Sequence, residues 1–165
     1  MDAMKRQGDL ERAVRLFREA LALNPTHEDS IYYLANCLEA LGESEAALRQ
    51  LQRLMELNPQ SHRAYKRWGV LRAMSATRRE ELEEAKAVLE RALAINPEET
   101  GVLLVLGEIA LLERDWEGAR RRFEWATRTN PKAVNGFYFL GYLAWQRGGC
   151  RPSPGVPQSG CGRAR

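Results

Sequence analysis

Small and large apolar residues recur along the chain at a spacing typical of α-helices. In four segments an alanine is followed four positions later by a large apolar residue, and three positions after that by a residue that is small in three of the four. Residues three or four apart stack on one face of a helix, so each segment predicts an amphipathic helix that a neighbour can approach closely. The four sets are Ala13, Phe17 and Ala20; Ala47, Leu51 and Leu54; Ala85, Leu89 and Ala92; and Ala119, Phe123 and Ala126.

A second type of apolar helix is predicted beside these segments. The motif of this second type is a large residue followed by a small one, with another large residue three positions before the pair. The chain therefore alternates two kinds of helix, which predicts antiparallel pairs. The marks are Ile31 with Leu34-Ala35, Tyr65 with Trp68-Gly69, Leu103 with Leu106-Gly107, and Phe137 with Leu140-Gly141.

Four Asn-Pro pairs punctuate the pattern, with spacings of 34, 38 and 34 residues. A period of that size is typical of a repeat architecture. Each proline disfavours a helical residue before it, so the asparagines should be extended or in turns. Turns are expected at Gly8 and Gly42, with a helix stub near 2–7 before a longer helix near 9–22. Arg114-Asp115 and Gly148-Gly149 hold corresponding positions. The pairs are Asn24-Pro25, Asn58-Pro59, Asn96-Pro97 and Asn130-Pro131.

These motifs resemble the tetratricopeptide repeat, in which an aromatic or large residue, Leu-Gly, Ala-x3-Phe and Pro follow one another. The resemblance covers residues 1 to about 147 and implies an all-α fold, an α-solenoid of stacked antiparallel helix pairs with about four repeats plus a half. An amphipathic helical bundle without repeats is the alternative. The expected divisions are a partial repeat at 1–27, full repeats at 28–61, 62–99 and 100–133, a half repeat at 134–147, and a disordered Gly/Pro/Arg-rich tail at 148–165.

The third repeat departs from the pattern. It carries four extra residues around Ser75-Ala76-Thr77-Arg78, and Arg72 stands where the family usually has a buried aromatic residue. Four residues are close to one helical turn, so the insertion could extend the first helix or lengthen the loop. A tolerated loop insertion is the favoured interpretation.

Composition fits this picture. A chain of 165 residues with 44% hydrophobic content can form a continuous stacked core, and its net charge of +3 is mild. It has no apolar run long enough for a transmembrane helix and no apolar signal region near its first residue, so a cytoplasmic location is the default. Three cysteines, Cys37, Cys150 and Cys161, cannot form a closed disulfide framework. The Ala, Arg and Glu usage is typical of a bacterial protein.

Helical patterning stops at Gly148, before the second helix that a complete repeat requires. We interpret the chain as a fragment, or as a product whose reading frame shifts near Gly148. A natural disordered tail is the alternative.

Sequence motifs of catalysis are missing. The chain has no phosphate-binding loop, no nucleophile with a nearby base and no histidine pair at ligand spacing, so we expect no enzyme activity, no metal and no cofactor. The acidic run at 80–84 fits the N-terminus of a helix, where carboxylates complement the macrodipole. A basic cluster at 63–79 is followed at once by this acidic run, and a second at 120–122 lies between Glu117 and Glu124. Mixed charges at this density indicate a solvated helix surface and not a nucleic-acid site.

The resemblance implies that the first helix of each repeat lines a concave groove for a partner. We expect a protein–protein interaction scaffold that binds a peptide or protein, acidic with apolar anchors, without nucleic acid or membrane. Self-association through the unfinished terminal repeats is a further possibility. The alternatives are an accessory module of a larger enzyme or secreted propeller-type protein, and an RNA-binding helical repeat. A carboxylate clamp for chaperone tails is disfavoured because only Asn36 matches it. The predicted groove residues are Tyr32, Tyr33, Asn36, Arg63, Lys66, Arg67, Leu104, Glu108, Tyr138 and Tyr142.

Overall fold

The protein is described by a computed structural model that covers residues 2–148, with side chains from 6 to 147. Within this range every regular element is an α-helix, and consecutive helices pack in pairs, which confirms the predicted all-α fold. The helices are α1 Asp2–Leu23, α2 Glu28–Ala40, α3 Ser44–Leu57, α4 His62–Ser75, α5 Arg79–Ile95, α6 Thr100–Leu112, α7 Trp116–Thr129 and α8 Val134–Gly148. The described chain forms two compact units, unit 1 up to Val102 and unit 2 from Leu103.

Unit 1 contains helices α1 to α5, each packed on the next. Its core follows the predicted alternation of small and large side chains. Ala47 and Ala85 are fully buried, and so are Leu51 and Leu89 four positions after them. The small residues allow close helix contact, and the leucines fill the space beside them.

Unit 2 repeats this arrangement around Phe123 of α7. Phe123 is fully buried, and its ring lies 4.7 Å from that of Phe139 in α8 with an interplanar angle of 12°. Ala119 and Leu143 complete the same cluster. The predicted Ala-x3-Phe pattern therefore forms the core of this unit as well.

Each Asn-Pro pair ends one of the helices that carry the alanine sets, and it does so through two hydrogen bonds. At Asn58 the backbone N–H donates to the carbonyl of Leu54 at 2.9 Å, and the side-chain oxygen accepts from the Gln60 N–H at 3.0 Å. Asn24, Asn96 and Asn130 make the same pair of bonds. Backbone angles near φ −134° and ψ 90° at Asn58 confirm the extended conformation expected before proline.

The turns between paired helices are confirmed at two of the predicted places and wrong at one. Gly42 has φ 83°, and Arg114 has φ 61°, a left-handed conformation that is uncommon for a side chain other than glycine. Gly8, in contrast, lies inside the continuous helix α1. One exposed glycine costs a helix only about 1 kcal/mol, which a helix of this length tolerates.

The insertion in the third repeat extends both helices and leaves the loop unchanged. The connections 41–43, 76–78 and 113–115 have equal length, whereas α5 has 17 residues against 14 in α3 and in α7. Helix α4 has 14 residues against 13 in α2. The favoured interpretation of a loop insertion is therefore wrong, because the added residues gain helical hydrogen bonds.

The expected disordered tail, the possible frameshift beyond Gly148 and two of the cysteines lie outside the described residues. Cys37 is half-buried on α2, and burial raises the pKa of its thiol. No helix of the described part has the length and apolar character needed to cross a membrane.

Candidate functional site

Six of the predicted groove residues lie on α2 and α4 in unit 1. Helix α2 begins after His27, whose Nδ1 accepts a hydrogen bond from the Ser30 N–H at 3.2 Å, and Glu28 and Asp29 place negative charge in its first turn. The six predicted groove residues on α2 and α4, together with Phe17 of α1, form the surface that we call the α2–α4 surface. Its members are Phe17, Tyr32, Tyr33, Asn36, Arg63, Lys66 and Arg67.

Aromatic rings form one end of this surface. The Tyr33 ring stacks on that of Phe17 at 6.1 Å, and the Tyr32 ring meets Tyr33 edge-on at 5.5 Å. The guanidinium carbon of Arg63 lies 4.3 Å from the centre of the Tyr32 ring, at cation–π distance. Tyr33 is 48% exposed, so the cluster presents a large aromatic face to solvent.

Carboxylates accompany every cation of the α2–α4 surface. Arg63 lies 3.4 Å from Asp29, and Lys66 Nζ lies 2.8 Å from Glu99 Oε1. Together with the Arg67–Glu39 pair, these ion pairs bring the formal charge of the surface close to zero.

The third pair involves Arg67, which lies 2.6 Å from Glu39 and donates from Nε to the Asn36 side-chain oxygen at 3.1 Å.

These acidic partners were missed by sequence reasoning, although the sequence contains the signal. Asp29 and Arg63 are 34 residues apart, one repeat period, and Lys66 and Glu99 are 33 apart. Residues one period apart hold equivalent places in successive repeats of a solenoid, so opposite charges at this spacing lie side by side. Counting charges along the period would have predicted the compensation.

The cations nevertheless remain open to a ligand. The side chains of Arg63, Lys66 and Arg67 are 48%, 41% and 37% exposed. A guanidinium has five N–H donors, and a single acceptor at 3.4 Å uses one of those of Arg63. Exposed pairs of this kind contribute about 0–1 kcal/mol, so a ligand can compete with them.

The other four predicted residues lie in unit 2 and differ among themselves. Leu104 is partly buried against the Phe123 cluster, which makes it a packing residue. Glu108 is exposed, and desolvation raises the pKa of its carboxyl. Tyr138 is 65% exposed, and the Tyr142 hydroxyl accepts a hydrogen bond from Gln146 at 2.9 Å.

A pocket of about 510 Å³ in unit 2 contains none of the predicted residues. It lies between the α6–α7 turn and the end of α8, and its wall includes an ion pair between Arg147 and Glu117. Sequence patterns did not indicate this pocket. Its lining residues are Arg114, Asp115, Trp116, Glu117, Leu143, Gln146 and Arg147.

Among the residues that the structure describes, no group of three or more His, Cys, Asp or Glu side chains could hold a metal ion. His27 serves as the helix cap of α2. The α2–α4 surface thus offers aromatic faces, cations and hydrogen-bond donors, which are the chemical groups of a binding site.

Solved structures share this fold at low sequence identity. The crystal structure of MamA matches with a TM-score of 0.76 and 21% identity over 89% of this chain and 84% of that one. MamA 41-end from Desulfovibrio magneticus RS-1 matches with a TM-score of 0.74 and 20% identity over 89% and 81%. The first TPR of Spaghetti (RPAP3), bound to the HSP90 peptide SRMEEVD, matches with a TM-score of 0.66 and 13% identity over 73% and 93%.

The family profile of the tetratricopeptide repeat matches residues 5–67 and 76–135, more than half of the chain. This fold commonly serves as a protein-interaction module, and proteins built from it are generally non-catalytic. With its helix pairs, its Asn-Pro repeat ends and this match, the chain belongs to the tetratricopeptide repeat family.

Proposed function

We propose that this protein is a non-catalytic scaffold whose α2–α4 surface binds a peptide or a segment of a partner protein. The observation that carries the proposal is the exposed aromatic face of Tyr33, stacked on the half-buried Phe17, beside the half-exposed cations Arg63 and Lys66. Tyrosine and arginine contribute most to the hot spots of protein interfaces.

The ligand is proposed to be acidic with apolar anchors. Its apolar side chains would pack on Tyr33 and Phe17, and its carboxylates would receive hydrogen bonds from Arg63 and Lys66. Because each cation already has a carboxylate neighbour, the ionic contacts would set orientation and association rate more than affinity. Burial of the aromatic face would provide most of the binding energy.

The structural relative RPAP3 was solved with the peptide SRMEEVD, which contains acidic and apolar residues. For the present protein we propose a different mode of recognition. Asn36, the one residue that matches a carboxylate clamp, is hydrogen-bonded to Arg67. Ligand carboxylates would therefore meet Arg63 and Lys66.

In unit 2 the proposed partner-binding residues are Leu104, Glu108, Tyr138 and Tyr142. The exposure of Tyr138 supports a direct contact with the partner. Leu104 would act by holding the underlying helix in place, since it packs in the Phe123 cluster.

The test is a selection of random displayed peptides on the purified protein, followed by affinity measurements with fluorescently labelled peptides from the selection and with SRMEEVD. We expect selected peptides rich in Asp, Glu and apolar residues. Tyr33→Ala should weaken their binding about tenfold or more, the size of a hot-spot effect. Arg63→Ala should mainly slow association and reduce its salt dependence.

Arg91→Ala is the matched control, because Arg91 is exposed on α5 in the same unit. Selected peptides without acidic or apolar enrichment, or binding that Tyr33→Ala leaves unchanged, would contradict the proposal.

Reversing the charge of a cation on this surface is a weaker test than removing it. Lys66→Glu and Arg67→Glu would each place a carboxylate beside Glu99 or Glu39 and disturb the fold itself. Neutral substitutions avoid this repulsion.

We propose no nucleic-acid partner. Phosphate backbones are bound by surfaces with excess positive charge, and the α2–α4 surface is compensated by Asp29, Glu39 and Glu99. Tight RNA binding in a filter assay, with affinity that falls steeply as salt rises, would overturn this statement.

A further inference from the structure

The space around the glycine of the large-small pair in the first helix of a repeat shows whether a second helix packs on that first helix. A Cβ atom on Gly69 of α4 would lie 2.5 Å from Leu89 Cγ, and one on Gly107 of α6 would lie 2.7 Å from Phe123 Cζ. Real Cβ contacts are longer than this. The missing side chains therefore allow Leu89 and Phe123 to lie directly on the backbone of the neighbouring helix.

Gly141 of α8 holds the corresponding position but is open. Among the residues that the structure describes, none has an atom within 4 Å of a Cβ placed there. Around it α8 exposes large apolar side chains, with Phe137 at 54% and Trp145 at 66%. Helical spacing places these residues on one side of α8, away from the side that packs on Phe123. We call this surface the α8 stripe, formed by Val134, Phe137, Tyr138, Gly141 and Trp145.

Helix α1 presents the complementary surface. It carries the set Ala13, Phe17 and Ala20, whose counterparts in α3, α5 and α7 are at most 2% exposed. In α1 these three residues are only half-buried, and Leu16 beside them is 55% exposed. Val14 and Leu21 hold α1 in the core, and Phe17 packs against the core with one side while it stays half-buried. We call Ala13, Leu16, Phe17 and Ala20 the α1 ridge.

We propose that the α1 ridge of one copy of this protein packs on the α8 stripe of a second copy. Phe17 would cover Gly141 of the other molecule as Phe123 covers Gly107 within one molecule. The two surfaces are complementary. Helix α1 has the pattern of the second helix of a repeat, and its inner face is partly exposed. Helix α8 has the pattern of the first helix, and its Gly141 is uncovered.

The contact joins two different surfaces, so it is heterologous and can continue from copy to copy. A single pair of helices buries less than the roughly 1,000 Å² of a stable interface. Association should therefore be weak and should increase with protein concentration. Phe17 and Tyr138 belong both to this contact and to the proposed partner-binding residues. The test therefore changes Leu16 and Gly141, which lie outside the proposed peptide-binding residues, so that self-association and peptide binding can fail separately.

The test uses sedimentation velocity on the full chain at increasing concentration, with circular dichroism to confirm folding. The parent should form species larger than a monomer. Gly141→Leu should abolish them without loss of helicity, because the new side chain has open space within its own chain and blocks the approach of Phe17. Gly8→Leu is the matched control, an exposed helical glycine that also has nothing within 4 Å. It should associate like the parent.

Leu16→Glu should abolish association from the other side. Mixing the Gly141→Leu and Leu16→Glu variants then tests whether the α1 ridge of one molecule binds the α8 stripe of the other. Gly141→Leu retains an α1 ridge and Leu16→Glu retains an α8 stripe, so the two monomeric variants should combine into a heterodimer that grows no further. A monomeric parent, association that survives either variant, or a mixture that stays monomeric would each overturn the proposal.

Discussion

The α2–α3 and α4–α5 hairpins share a fold but differ at two equivalent core positions. Where α2 has Leu38, 2% exposed, α4 has Arg72, and where α2 has Ala35, α4 has Gly69. The connecting loops are equal in length. A core position of the repeat can therefore hold a charged side chain in place of an apolar one when neighbouring residues change with it.

Arg72 is accommodated by carboxylates from two helices. Its side chain is 19% exposed and lies 3.3 Å from Glu45 of α3, 3.7 Å from Glu81 and 3.2 Å from Glu84 of α5. Glu81 belongs to the turn that the insertion adds at the start of α5. The inserted residues and the unusual arginine thus form one structural feature.

The largest effect is expected when the close approach at Gly69 is blocked. Gly69→Leu should destabilise the protein by about 3 kcal/mol, because its side chain would overlap Leu89 and the Ala85 carbonyl. Gly8→Leu is the control, since open space surrounds Gly8. Urea denaturation measures both, and equal midpoints for the two variants would contradict the close contact.

Replacing Arg72 by the residue of the other hairpin tests whether its ion pairs matter. Arg72→Leu should destabilise by about 1–3 kcal/mol, because the largely buried Glu81 and the exposed Glu84 would both lose a charged partner. The double variant Arg72→Leu with Glu84→Gln should recover part of this loss. Strictly additive free energies of unfolding in a double-mutant cycle would show that the two residues are not coupled.

The comparison also shows how far the sequence predicts this molecule. The helix pairs, the asparagine turns and the buried Ala-x3-Leu sets follow from local rules, and the structure confirms them. The turn at Gly8 was wrong because a helix tolerates one exposed glycine when flanking residues favour helix. Local propensity alone does not decide such a case.

At the candidate site the sequence predicted the surface residues but not their partners. Arg67 was expected as an available cation, and it is engaged by Glu39 and Asn36. These partners lie 31 and 28 positions before Arg67, short of one repeat period, so their contact with Arg67 depends on side-chain geometry and not on spacing alone. Whether the ten residues bind a partner stays a prediction.

The turns of the hairpins offer a smaller test. Gly42→Ala should destabilise by about 1 kcal/mol, because its φ of 83° is unfavourable for a side chain. Ala76→Gly in the α4–α5 turn should give no gain, since Ala76 has φ −62°. Arg114→Gly, at φ 61°, should stabilise by up to about 1 kcal/mol. Thermal unfolding ranks the three, and a stabilising Gly42→Ala would contradict the turn geometry.

The sharpest dependence on pH is expected for Glu81. Its pKa is lowered from 4.5 to about 2, because its carboxylate accepts hydrogen bonds from the Thr77 backbone N–H and from Arg78, with Arg72 nearby. A pKa depressed in the folded state contributes stability above pH 4.5 that is lost as the pH falls towards about 2. The melting temperature of the parent should therefore fall more steeply in this window than that of Glu81→Gln, whose amide oxygen still accepts hydrogen bonds but does not titrate. Glu80→Gln, at an exposed neighbouring position, should follow the parent. Parallel curves for the parent and Glu81→Gln would show that this carboxylate does not stabilise the start of α5.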